Sequence, residues 1–164
     1  MINKIDSVEI NKIKSESRTV INLRLLGISF TLFTFIAAIS PFLLKENILL
    51  SLQLTIAIPL LITSIFARKK LAYTEKIDLW NKYGFITSTI ALAFLLNVVG
   101  IFLSVLVGKN VSLIFYASNI LIALLYSLFE IHEDKSLIKS RICKDSLFII
   151  ILFFLGILPA LGIY

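Results

Sequence analysis

Five long uncharged runs alternate with short charged ones along this chain. Stretches free of Asp, Glu, Lys, Arg and His run from Leu25 to Leu44, Ile48 to Ala67, Tyr83 to Gly108, Asn110 to Phe129 and Ser146 to Tyr164, and are 20, 20, 26, 20 and 19 residues long. At about 1.5 Å of rise per residue, each reaches as a helix across a hydrocarbon layer about 30 Å thick. The pattern predicts an all-α integral membrane protein with five transmembrane helices at about 25–44, 48–67, 84–108, 110–130 and 146–164. Lys45-Glu46-Asn47 and Gly108-Lys109-Asn110 are the only polar breaks between the first and second and between the third and fourth runs, so the expected arrangement is two tight helical hairpins plus a C-terminal helix. Residues 1–164 then form a single polytopic domain, with a basic tail at 1–24 and loops at about 68–83 and 131–145. The composition, 59% apolar and 16% charged, agrees with this reading, because soluble domains carry about 25% charged residues. A nucleotide-binding or hydrolase fold outside the membrane is excluded for lack of chain.

The charged residues are distributed very unevenly. Lys4, Lys12, Lys14, Arg18 and Arg24 precede the first run, Arg68, Lys69, Lys70, Lys76 and Lys82 separate the second and third, and Lys135, Lys139, Arg141 and Lys144 separate the fourth and fifth. Only Lys45 and Lys109 fall on the other side. Basic residues stay on the cytoplasmic side during insertion, which predicts a cytoplasmic N-terminus and an external C-terminus. The net charge of +6 is thus a topological signal and calls for no nucleic-acid partner. The expected partners are the lipid bilayer, anionic lipid headgroups at the cytoplasmic face, and another membrane protein or copies of the chain itself. Headgroup attraction contributes about 1 kcal/mol per basic group near the surface.

Two segments have helical apolar spacing suited to lying on that surface: the tail, with Ile2, Ile5, Val8 and Ile13, and the loop with Tyr73, Ile77 and Trp80. Trp80, Tyr83 and Tyr164 read as interfacial anchors. Ala38-Ile39-Ser40 has the small-residue pattern of a cleavage site, but Pro41 follows and the preceding apolar run exceeds the 7–15 residues of a signal-peptide core, so the first helix is expected to be retained. The single cysteine, Cys143, permits no intramolecular disulfide and no cysteine zinc site, and its place between Arg141 and Lys144 reads as incidental.

Small and hydrogen-bonding residues mark helix contact faces in a membrane, where lipid gives helices no hydrophobic reason to associate. Such stripes occur at Gly27, Thr31, Thr34 and Ala38; at Ser51, Thr55, Pro59 and Thr63; at Thr89, Ala93, Asn97, Gly100 and Ser104; at Ser112, Tyr116, Asn119, Ala123 and Ser127; and at Gly156, Ala160 and Ile163. Asn97 and Asn119 lie at similar depth in the second hairpin and are expected to hydrogen-bond across it. Pro59 frees the carbonyl of Thr55 and predicts a kink. Gln53, Thr55, Pro59, Asn97, Gly100 and Asn119 are therefore the candidate helix-contact or pore-lining residues.

The chemistry available is limited. None of the five runs holds an ionisable group of the kind proton-coupled carriers place at depth. No nucleophile with a base, glycine-rich phosphate loop or metal-ligand spacing is present, so no enzyme, cofactor or metal is expected. One acidic group, Glu130, His132, Glu133 and Asp134, stands where the fourth helix leaves the membrane, with Lys135 and Lys139 as the expected partners of its carboxylates. Acid is unfavourable at a helix C-terminus, so the helix is expected to continue into the loop, with Ile138 and Ile142 on one face. The leading expectation is a small bundle acting by lateral association, as an accessory, regulatory or protective subunit of another membrane protein. A self-assembling pore or membrane-disrupting effector is the alternative, followed by a carrier of small solutes. The Ile-, Leu-, Phe-, Lys- and Asn-rich composition suggests an AT-rich genome without naming an organism, and the expected location is a bacterial or archaeal plasma membrane.

Overall fold

The structure, a computed structural model, describes residues 2–71, 77–135 and 138–163, with side chains at 13, 15–71, 79–135, 138–139 and 141–163. The described residues are helical and include no strand. Helix α1 (Ile2–Ile39) is unbroken from the tail through the first span, because no proline interrupts it and Gly27 is its one glycine. The expected surface-lying tail is thus one continuous helix with span 1; the side chains of Ile2, Ile5 and Val8 lie outside the described residues, as do that of Ile77 and the whole of Tyr73 and Tyr164. Ser40 ends α1 with φ −148° and ψ 71°, an extended-side conformation that the following proline imposes. Pro41 then starts the short α2 (Pro41–Glu46) at a position where its missing N–H has no consequence.

Asn47 separates α2 from α3 (Ile48–Lys70), and its Oδ1 accepts from the Leu50 N–H at 3.0 Å, capping the new helix. Helix α3 runs through Pro59 without a break. Helix α4 (Ile77–Leu106) ends at Gly108, whose φ of 130° is open to glycine and strained for other residues; its N–H donates to Leu103 O at 3.0 Å. Helix α5 (Lys109–Glu133) stops at Asp134 (φ −139°, ψ 100°) and does not continue into the loop. Ile138 and Ile142 belong instead to the next helix, α6 (Ile138–Leu152), where both are exposed.

Helix α6 widens into a π turn (Phe153–Ile157) and then the single turn α7 (Leu158–Leu161). The cause is local. Pro159 has no N–H for the carbonyl four residues earlier, Leu155 O, and its ring crowds that carbonyl. The chain takes up an i→i+5 pattern, with Leu158 N–H donating to Phe153 O.

Among the described residues, five segments are long and apolar enough to cross a membrane: Ser15–Ile39, Ile48–Lys70, Leu79–Leu106, Lys109–Glu133 and Arg141–Leu161. Most take in charged residues beyond the uncharged runs, so that Arg18, Arg68, Glu130, Arg141 and Lys144 stand on helices and not in loops. Helix α4 is central. One side of it packs most extensively on α3, with Leu50, Leu54, Ala57 and Leu61 against Ala91, Leu95 and Val98; α1 joins this layer through Ile36 and lies mainly on α3. The other side meets α5, α6 and the π turn through Ala93, Tyr116, Phe148 and Leu152. Phe30, Phe66, Ile114, Phe129 and Phe154 are exposed, giving the bundle an apolar exterior of the kind lipid requires.

The two ends of the bundle differ in charge. At one end Ser15 Oγ donates to Arg68 O at 2.6 Å, tying the start of span 1 to the end of span 2. This is the basic end. At the other, the turn end, Lys109 Nζ donates to Leu161 O at 2.7 Å and holds the last turn of the chain against the α4–α5 hairpin.

Candidate functional site

The interior polar residues converge at mid-bundle. Gln53 on α3 is 2% exposed and Asn97 on α4 is 0% exposed, so neither amide is open to lipid or to a path from outside. Asn97 Nδ2 donates to Gln53 Oε1 at 2.7 Å and to Ile151 O at 3.3 Å, while Gln53 Nε2 donates to Leu155 O at 2.8 Å. Pro159 cannot supply Leu155 O with its usual i+4 donor, and a side chain of the second span donates there instead. Every partner of the two amide nitrogens is an acceptor, which fixes the orientation of both side chains. Asn97 Oδ1 accepts no hydrogen bond and lies against the bare backbone of Gly156, where a Cβ would fall 2.1 Å from it.

Tyr116 of α5 completes the cluster. Its ring is fully buried, its OH donates to Asn97 O at 3.2 Å, and Gly100 and Gly156 flank it closely enough that a Cβ on either would overlap the ring. One turn toward the turn end, Ser112 Oγ donates to Gly100 O and Ser104 Oγ to Ala160 O, each at 2.7 Å. The small-residue stripes of the last three spans therefore face one another.

The expected bond between Asn97 and Asn119 is not formed. Asn119 Nδ2 donates to Phe115 O of its own helix at 2.8 Å. Helices α4 and α5 are offset by about one turn from the depth matching of the two asparagines, which brings the longer Tyr116 side chain opposite Asn97 instead. Asn119→Ala is accordingly expected to change stability by less than about 0.5 kcal/mol, as for surface positions without a long-range partner, measured as the unfolding midpoint in detergent. Thr55 and Pro59 stand on the outward face of α3, with Thr55 Oγ1 donating to Ser51 O at 2.8 Å; they share no site with Gln53, which points inward.

A second polar cluster occupies the basic end. Asn22 Nδ2 donates to Ser64 Oγ at 2.8 Å, and that hydroxyl donates to Gly84 O at 2.7 Å, joining α1, α3 and α4. Arg68, only 2% exposed, rests beside Gly84, where a Cβ would sit 3.3 Å from its Nε. Asn81 Oδ1 accepts from both Arg68 Nη1 and Arg18 Nη1, the latter at 3.0 Å.

Glu130, the first residue of the cluster Glu130, His132, Glu133 and Asp134, turns toward the bundle. It ion-pairs with Arg141 of α6 and accepts from the Tyr126 OH at 2.9 Å, in place of the Lys135 or Lys139 partner expected from sequence. His132 and Glu133 are exposed, and the Asp134 N–H donates to Glu130 O at 2.9 Å. Among the described residues no three His, Cys, Asp or Glu side chains converge as a metal site would require. Cys143 is exposed.

Sequence reading missed Arg18, Asn22, Ser64, Arg68, Asn81 and Arg141 as parts of one polar cluster. One signal for Arg68 was available: Gln53, Ala57, Leu61, Ser64 and Arg68 recur every third or fourth residue on one face of α3. No family model, curated protein or solved structure matches this chain. The functional reading therefore rests on its own geometry.

Proposed function

We propose that this chain is a non-catalytic membrane subunit that works by lateral association inside the bilayer, as an accessory, regulatory or protective partner of another membrane protein. The observation that carries the reading is the outward face of α1. Gly27, Thr31, Thr34 and Ala38 are all exposed there, and a Cβ built on Gly27 meets nothing within 4 Å. Thr31 and Thr34 bond only carbonyls of their own helix. Small residues let a second backbone approach closely, the main attraction available between helices in lipid. Most residues of the stripes of the last three spans are used inside the bundle, whereas this one has no partner among the described residues. Gln53 and Asn97 are buried and their amide N–H groups are bonded to interior acceptors, which supports a packed bundle over a single-chain conduit. The reading places the N-terminus and the basic end at the cytoplasmic face of a bacterial or archaeal plasma membrane, on the strength of the charge bias.

The test is crosslinking in native membranes from Gly27→Cys in a Cys143→Ser background, followed by mass spectrometry. A constant product with one foreign chain is the expected result. Products at multiples of 18.5 kDa would replace the proposal with self-assembly, and no product at all would end it. Gly27→Phe is expected to abolish the crosslink at neighbouring positions while leaving the unfolding midpoint of the isolated chain unchanged, since the new ring points into open space.

A further inference from the structure

Between α1, α3, α4, α5 and α6 the basic end holds an open cavity of about 230 Å³, several times the roughly 30 Å³ that one water occupies in the liquid. Four cationic side chains line it: Arg18 from α1, Arg68 from α3, and Arg141 and Lys144 from α6. One carboxylate faces them. Glu130 also lines the cavity, but its oxygens are taken by Arg141 and Tyr126.

Arg18 and Arg68 have a different arrangement. Both donate to the single neutral oxygen of Asn81, and among the described residues neither forms an ion pair. Arg68 is 98% removed from solvent and its Nε–H has no acceptor. A buried guanidinium without a counter-charge is unfavourable unless an anion supplies one. Lys144 Nζ likewise sits over the Phe85 ring at 5.2 Å without an ion-pair partner among the described residues. The wall thus carries three positive charges in excess, with free N–H groups in the forked geometry that suits tetrahedral oxyanions.

Depth narrows the chemistry further. Arg68 lies 21 residues beyond Asn47, and Arg18 lies 22 residues before Ser40. At helical rise these are about 31 and 33 Å, one hydrocarbon thickness from the turn end. The cavity stands at the level of lipid phosphates, and Ile21 and Phe85 contribute apolar wall beside the charges.

We propose that this cavity is a binding site for a phosphate group, held by Arg18 and Arg68 and enclosed by Arg141 and Lys144. The site does not depend on lateral association. The phosphate belongs either to an anionic phospholipid headgroup entering from the bilayer or to a soluble phosphate.

The experiment uses the full-length chain. Thermal unfolding is followed in detergent with inorganic phosphate against chloride at equal ionic strength, and in nanodiscs of phosphatidylcholine with and without phosphatidic acid. Stabilisation by phosphatidic acid alone assigns the site to a headgroup; stabilisation by inorganic phosphate assigns it to the soluble ion. Arg18→Gln and Arg68→Met are each expected to weaken the effective probe at least tenfold, and Lys69→Gln, an exposed neighbour at the same depth, less than twofold. Arg18 is exposed, so its variant remains informative if Arg68→Met fails to fold. Absence of stabilisation by either probe, or equal weakening by Lys69→Gln, would overturn the proposal.

Discussion

Gly100→Ala is expected to destabilise the bundle by about 1–3 kcal/mol, the usual cost of forcing a methyl into a packed core. The new Cβ would lie 2.2 Å from Tyr116 Cζ, 2.3 Å from its OH and 2.6 Å from Cε2. The ring has no direction in which to yield. On its other edge a Cβ at Gly156 would come within 2.8 Å of Cε1, and Ser112 Oγ clamps α5 to Gly100 O at 2.7 Å. Only separation of α4 from α5 relieves the overlap, and it breaks the bond from Tyr116 OH to Asn97 O. Tyr116→Ala alone should cost about 3–5 kcal/mol, the range for emptying a buried aromatic site. The double variant should cost clearly less than the sum of the two, because the methyl then enters space the ring has left. Unfolding in mixed micelles, followed by circular dichroism, measures all three. Additivity would show that the ring and the glycine do not meet.

Gln53→Leu is the second large effect, at about 1–2 kcal/mol. Leucine fills a similar volume but removes the Gln53 donor from Leu155 O, to which Pro159 supplies no i+4 N–H, and takes an acceptor from Asn97 Nδ2. Membrane helices make such bonds worth roughly 0.6 kcal/mol on average and about 1.7 at most, and an orphaned buried carbonyl adds its own penalty. Pro159→Ala returns a backbone N–H in range of Leu155 O. In that background Gln53→Leu should lose at least half of its effect. Equal costs in both backgrounds would show that Gln53 acts by packing and not by completing the fifth span.

The helices and the small-residue faces were legible in the sequence because both follow from local periodicity and from the intolerance of lipid for charge. Stripes at Asn97, Gly100, Tyr116 and Gly156 could be read in the same way. Their pairing could not. Whether Asn97 meets Asn119, Tyr116 or Gln53 depends on the offset between α4 and α5 and on how α3 presents Gln53, neither of which a single helix encodes. Gln53 finds its acceptor 102 residues away, at a carbonyl exposed by a proline whose effect is evident only once the helix is built. The helix ends were misread for a related reason. Arg68 and Arg141 look like loop residues by charge alone, but α3 and α6 include them, and tertiary neighbours make Arg68 an interior side chain. Asp134 stops α5 where acidity by itself indicated continuation.

The long reach from Gln53 and Asn97 to the last span also sets a schedule for biosynthesis. Residues 97 and 155 are separated by 58 residues of translation. At about 5–20 residues per second this is roughly 3–12 s between synthesis of the second amide and synthesis of the acceptors on the fifth span. They hold each other in that interval, through the Asn97 to Gln53 bond, and await the carbonyls of Ile151 and Leu155. The centre of the bundle is thus closed by a segment translated well after the amides it satisfies, and a chain arrested before residue 155 retains an unsealed polar seam in the bilayer.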